Sequence, residues 1–442
     1  MTDTLTSTPA RDPLAAALGA FALHPADNPP WLESLREAAR QQMGETGFPD
    51  THQEDWRFTN VAPLLELPLH SAKQNGRLVT LRDIEPFRLA KDGHCLVFVD
   101  GAFRHDLSSL PGAPGLEAAS LRALMAGGGR ELDKHLARHA AVAGNFFAAL
   151  NTAFFVDGAF VFVADGVTVE QPVQLLYVAA SDRPGATVHA RNLIVAQKGA
   201  ALKVMETYAS LTPAPHVTNA VTELVLAAGA RVEHGRLQNE NERAFHFATV
   251  QAAQERDSHW VSHSIVTGAR LARNQIQTRL DGEGAEAILN GLYLGRGEQL
   301  IDHHTVVDHV QPHCESHEFY HGILANRSRG VFNGKIFVRP DAQKTNAKQT
   351  NRNLLLSDEA VIDTKPQWEI FADDVKCTHG ATIGQLNEEA MFYLRSRGIG
   401  AAHARRMLIH AFASDVVGRI TIPALREQLD RLLTERFECA AM

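Results

Sequence analysis

Cys377 and His379 stand two residues apart in the run Lys376-Cys377-Thr378-His379-Gly380. On a strand, that spacing puts both side chains on one face. A thiolate is a soft ligand or a nucleophile. A neutral imidazole is a proton acceptor and a borderline metal ligand. The pair could therefore grip a metal from one side, yet two ligands do not complete a metal site. The same spacing also suits a packed strand, with the cysteine as a small hydrophobe and the histidine bonded to backbone groups. Both readings stay open on spacing alone.

Histidine is abundant, with 22 residues, and it concentrates in two runs. One holds His303, His304 and His309; the other holds His313, His317 and His321. A histidine-based metalloenzyme is one reading of these runs. The local pattern is strand alternation, which would instead spread the imidazoles over a sheet. The cysteines Cys95, Cys314, Cys377 and Cys439 are far apart and form no C-x-x-C pair. They match neither a disulfide framework nor the compact cysteine runs of a ferredoxin-type cluster. No G-x-x-x-x-G-K-[ST] loop occurs, so the chain is expected to bind and hydrolyse no nucleotide by itself. A G-x-S-x-G elbow and an H-E-x-x-H pair are also missing. No catalytic residue is assigned, and the chain is expected to be no enzyme.

Composition narrows the partners. The chain has 442 residues, of which 45% are hydrophobic and 21% charged, with net charge −8. There is no basic tract to neutralise phosphates, which argues against nucleic acid. No apolar run is long enough to span a bilayer, which argues against a membrane. The start, Met1-Thr2-Asp3-Thr4-Leu5, lacks the regions of a signal peptide, so a cytoplasmic location is expected.

Three stretches must position the chemistry. Residues 1–154 read as a mainly helical domain, with helical spacing around Leu14 and Leu18 and around Leu32 and Leu35. Pro29 and Pro30 separate those two helices, and helix signals return over 116–150, broken by a glycine run at 127–129. Residues 155–385 change to short alternating strands. Turns recur at 199, 229, 257 and 284, each about one coil of a repeat architecture apart. Strands repeating without helices between them favour a parallel β-helix, with a jelly roll as the other solution. Arg231, Glu233 and Gln277 are expected to face outward. Residues 386–442 read as three helices. Asn387 caps the first and Gly398 ends it; Ala401–Val417 is the second; Ile422, Leu425, Leu429, Leu432 and Leu433 mark the third.

Beyond these patterns, segments 344–357, 361–366, 373–382 and 392–399 resemble the SufB/SufD family of iron–sulfur cluster assembly proteins. The run Glu54-Asp55-Trp56-Arg57-Phe58-Thr59-Asn60 is similar to the family's N-terminal part. Gly380 stands where the SufB branch carries a glutamate, and residues 343–357 contain no cysteine. Both departures point to the SufD branch. The resemblance implies a mainly β protein: a right-handed parallel β-helix core flanked by N-terminal and C-terminal helical domains. It implies a scaffold complex with a SufB-like paralogue, paired through the β-helix, and a SufC-like ABC ATPase, docked on the C-terminal helices. It also implies a transient iron–sulfur cluster shared with the SufB-like chain, with His379 as the ligand from this side and Cys377 beside it. Whether the isolated chain pairs with itself as a homodimer stays open. A β-helix hydrolase acting on carbohydrate is the remaining alternative, and would need a groove of paired carboxylates.

Overall fold

Side chains that alternate inward and outward, with a tight turn after each strand, favour stacking of the chain on itself. The computed structural model describes residues 13–21, 29–72, 78–90, 93–127 and 132–438. From Ala159–Val163 to Lys376–Gly384, successive strands alternate between two 10-stranded sheets. Each strand pairs with the next but one in sequence, as Phe245–Gln254 does with Leu271–Leu280. The result is a parallel β-solenoid of about 8 turns. Antiparallel strand pairs among the described residues lie only at its first rim. A jelly roll, built on antiparallel neighbours, is thereby excluded.

The turns explain the repeat. Gly199, Gly229, Asp257 and Gly284 have φ of +66°, +70°, +56° and +71°. This is the left-handed region, which glycine enters freely and aspartate tolerates. Stacked turns also bond to each other: the N–H of Gly199 donates to Ala228 O and that of Gly229 to Arg256 O, each at 2.9 Å. Between the sheets, inward residues such as Val204, Val232, Trp260, Leu289 and Ile336 form one continuous core. Each large aliphatic side chain buried there is worth roughly 1.5–3 kcal/mol.

Helical regions cover the two outer faces. Pro30–Thr46 and the buried helix Phe146–Phe154 pack over the first sheet, where Phe146, Phe147 and Met43 meet Val217, Phe245 and Phe247. Pro30 occupies the first helical position, where its missing N–H costs nothing. The helix signal over 116–150 needs correction at its start, because Leu116–Ser120 is a strand paired antiparallel with Ala159–Val163. The edge of the first sheet offers unpaired backbone groups there, and satisfying them outweighs helix propensity. Gly127 ends a helix beginning at Leu121, and the rest of the glycine run lies outside the described residues, as do Met1 to Leu5. His94–Val99, earlier in the chain, joins the second sheet beside Val173–Ala179.

The C-terminal region follows its sequence signals closely. Asn387 accepts the Ala390 N–H at 2.8 Å and caps Glu388–Ser396; Gly398, at φ +84°, closes it. Ala401–Val417 and Pro423–Glu438 then pack on the outer face of the second sheet. Their Ile409, Val416, Leu425 and Leu429 meet Met205, Leu237, Ile265, Leu292 and Ile323. Among the described residues no helix is long and apolar enough to cross a membrane.

Candidate functional site

The solenoid ends on Val361–Ile370 in one sheet and Lys376–Gly384 in the other. Each is the edge strand of its sheet, with its outer ladder unpaired. Cys377 aligns with Ala347, and His379 with Gln349. Ala347, Gln349, Asn351 and Asn353 form an inward row and are buried. Their partners one coil on share that orientation, but no further coil covers them. Cys377 is therefore half-buried against the core, while His379 is exposed. The two do share a face, as their spacing predicts. Trp368, from the other edge strand, packs its ring 5.6 Å from the His379 ring. Sequence reasoning missed this tryptophan; the alternation Ile362, Thr364, Pro366, Trp368 was the available signal.

Burial pushes the Cys377 thiol up from its ordinary range, with only an Ala347 backbone hydrogen bond acting the other way. That shift disfavours a standing thiolate. Cys95 and Cys314 are buried, and desolvation raises both thiols, Cys95 to about 11. Cys439 lies outside the described residues. A Cβ built on Gly380 meets nothing within 4 Å, so this glycine answers to no local packing need.

Beneath the open coil, one strand down at Gln349 and two at Glu318, lies a second group that sequence reasoning missed. The Glu318 carboxyl is buried between Thr305, which donates at 2.9 Å, and Gln349, which donates at 2.8 Å. Its second oxygen, the Gln349 carbonyl oxygen and the Trp368 indole N–H have no partner among the described residues. Desolvation raises the Glu318 carboxyl to about 7, and the two hydrogen bonds offset this only in part. The folded state thus keeps a proton that the unfolded chain loses. That contribution is complete below the ordinary value of 4.5 and is lost as pH rises through about 7. Glu318→Gln is expected to flatten this fall, adding up to about 3 kcal/mol of stability at about pH 8 and little at about pH 4. Urea titrations at both pH values check it; an equal gain at both would contradict it.

The histidine runs do not assemble a metal centre. His303 and His309 point into the solenoid, where His303 Nε2 lies 3.2 Å from Ser264 Oγ and His309 Nε2 2.8 Å from Ser316 Oγ. His304 faces the other way beside Asp302, and His317 lies beside Glu315. His321 Nδ1–H donates to Phe412 O, 2.9 Å away, under the C-terminal helices. Strand alternation divides the imidazoles between faces, and among the described residues no three His, Cys, Asp or Glu side chains converge for a metal ion.

The N-terminal motif reaches the same end of the solenoid. Glu54–Trp56 forms a short 3₁₀ turn that buries Trp56. The Arg273 guanidinium stacks on Trp56 at 3.7 Å, donates to Asp55 O at 2.9 Å and pairs with Asp302. Thr59 donates to Asp302 at 2.6 Å. Burial alone would raise the Asp302 carboxyl, but Arg273 and His304 hold it well below the usual carboxylate range. Glu54 pairs with Lys365 of the edge strand at 2.5 Å. On the other flank, Phe392 and Tyr393 of the first C-terminal helix are 75% and 58% exposed. Large apolar side chains left in water on one helix mark a surface that another protein can cover.

Comparison with known proteins bears on both ends of the chain. Residues 177–412 match the SUF system FeS cluster assembly, SufBD core domain, and residues 22–175 match the SufBD protein N-terminal region. The iron–sulfur cluster assembly SufBD family protein of Synechocystis is 31% identical over 92% of this chain and 91% of its own. The iron–sulfur cluster assembly protein SufD of Escherichia coli is 31% identical over 88% of this chain and 89% of its own. SufD of Bacillus subtilis is 29% identical over 91% and 93%. The resemblance carried by the motif around His379 and by the Trp56 segment thus extends across the whole solenoid and both flanking regions, and the chain belongs to the SufBD family of iron–sulfur cluster assembly proteins.

Proposed function

We propose that this chain is the SufD-type, non-enzymatic subunit of a cytoplasmic assembly complex with a SufB-like paralogue and a SufC-like ABC ATPase. The observation that carries the reading is the open last coil, which leaves two edge strands and an exposed imidazole on the same surface. Unpaired edges are templates for another strand. A paralogue with the same solenoid would extend both sheets across that end. His379 would then meet ligands from the partner, and the nascent cluster would be cargo held between the chains. One neutral imidazole with partner ligands makes a labile grip, which suits a cluster that must be released. Cys377 is the lesser contributor, since burial keeps its thiol protonated.

The ATPase would dock on the C-terminal helices, at the exposed Phe392 and Tyr393. The second and third of those helices meet the second sheet through a buried apolar layer and the first packs on the second, so a movement of the ATPase would reach the solenoid through them. The nucleotide would belong to the ATPase, not to this chain. Affinity purification of the chain from its native cells tests the reading. Recovery of a SufB-like chain and an ABC ATPase is the expected result, and recovery of neither under mild conditions would overturn it. With the purified chain alone, light scattering decides whether the open ends also pair with each other.

A further inference from the structure

Away from the open coil, the second sheet is covered by the C-terminal helices only over the C-terminal halves of its strands. Where the cover stops, a cavity of about 580 Å³ lies between the sheet face and the segment carrying Arg419 and Thr421. Its floor is apolar, with Val261 and Ile288 half-buried on neighbouring strands. Its inner end is polar and built. Glu233 is buried there and accepts the Thr421 N–H at 2.8 Å and a bond from Thr421 Oγ1. His263, fully buried, lies 3.1 Å from the same carboxylate, and Asn290 lies 3.4 Å from the other His263 nitrogen.

Asn290 is 1% exposed, yet its side-chain oxygen has no hydrogen-bond partner among the described residues. A buried acceptor left unpaired costs about 1–3 kcal/mol, a cost that a donor in the cavity would remove. The rim supplies charge. The Arg231 side chain is exposed and makes no ion pair among the described residues. The Arg419 guanidinium lies over the Phe319 ring at 3.9 Å, and it makes no ion pair among the described residues. Lys203 donates to Thr421 Oγ1 at 2.9 Å and pairs with Glu233 at 3.8 Å.

We infer that this notch is a binding site for a small amphipathic organic anion, with an apolar body on Val261 and Ile288 and an N–H or O–H donor facing Asn290. The anionic group would sit between Arg231 and Arg419. The volume is ordinary for a ligand site of this kind, within roughly 300–1,000 Å³. Such a ligand would touch both the solenoid and the loop that joins the second and third C-terminal helices, so it would tie the two together. The inference does not depend on how the open end of the solenoid is used.

Anilinonaphthalene sulfonate carries an apolar body, an anion and an N–H, and serves as the probe with the full-length chain. The expected result is saturable one-to-one binding by calorimetry. Arg231→Ala and Arg419→Ala should each weaken it about tenfold, as expected for losing a charge-assisted bond. Ile288→Trp, which fills the floor, should abolish it while the circular dichroism spectrum is unchanged. The neutral analogue phenylnaphthylamine should bind at least about tenfold more weakly. Probe binding unchanged in Ile288→Trp, or equal binding of the neutral analogue, would overturn the assignment. Arg231→Ala, at an exposed position, provides the same decision if Ile288→Trp does not fold.

Discussion

Replacing His379 with alanine is expected to abolish iron–sulfur maturation in cells that depend on this chain, while the paralogue and the ATPase still co-purify with it. The side chain is exposed on an edge strand, so its removal should change stability by no more than about 0.5 kcal/mol. In its proposed role as a cluster ligand, its chemical effect would be far larger. Disturbing even the groups behind a metal ligand commonly costs about 10–100-fold in affinity or activity, and losing the ligand itself should cost at least that. Activity of a cluster-dependent reporter enzyme measures the outcome; near-normal activity would sink the assignment. Cys377→Ala provides the contrast. With its thiol held protonated by burial, its loss should leave most of the maturation in place. An equal loss in both variants would instead make the cysteine a second ligand.

The largest effect on folding is expected at Asp302. Asp302→Ala would leave the Arg273 guanidinium buried beneath Trp56 without its counter-charge, and would also free Thr59. Breaking one side of a buried ion pair typically costs about 3–5 kcal/mol. The N-terminal motif is pinned to the solenoid by this contact, so its Trp56 fluorescence should shift early in a urea titration of the variant. A loss below about 1 kcal/mol would show that the pair holds less than its burial implies. The double change of Arg273 and Asp302 to Met and Leu should recover most of the loss, since no uncompensated charge remains.

Much of this architecture was legible in the sequence because its signals were local. The turn positions 199, 229, 257 and 284 require left-handed backbone, and glycine or aspartate stands at each. The first C-terminal helix carries its own cap and the other two their apolar residues, and the structure repeats the three almost residue for residue. The strand at Leu116–Ser120 was hidden because its partner, Ala159–Val163, lies far along the chain and local propensity knows nothing of it. The same limit applied at the site. Spacing placed Cys377 and His379 on one face, but only the end of the stack explains why one is half-covered and the other bare. Glu318 looked like any carboxylate in an acidic chain. Its proton is held by a depth in the solenoid that no neighbouring residue in sequence reports.

The C-terminal helices meet the second sheet at Met205, Leu237, Ile265, Leu292, Ile323 and Leu354, with at least one contact from each successive strand. They act as a splint. A bare solenoid unzips coil by coil, because each coil holds only its neighbours. Braced across six strands, these coils must open together or not at all. The splint stops at Asn346–Leu355, so the strand carrying His379 is the first left outside it. The protein thereby has a stiff shaft with a compliant tip, and the tip is where another chain would have to be joined and let go.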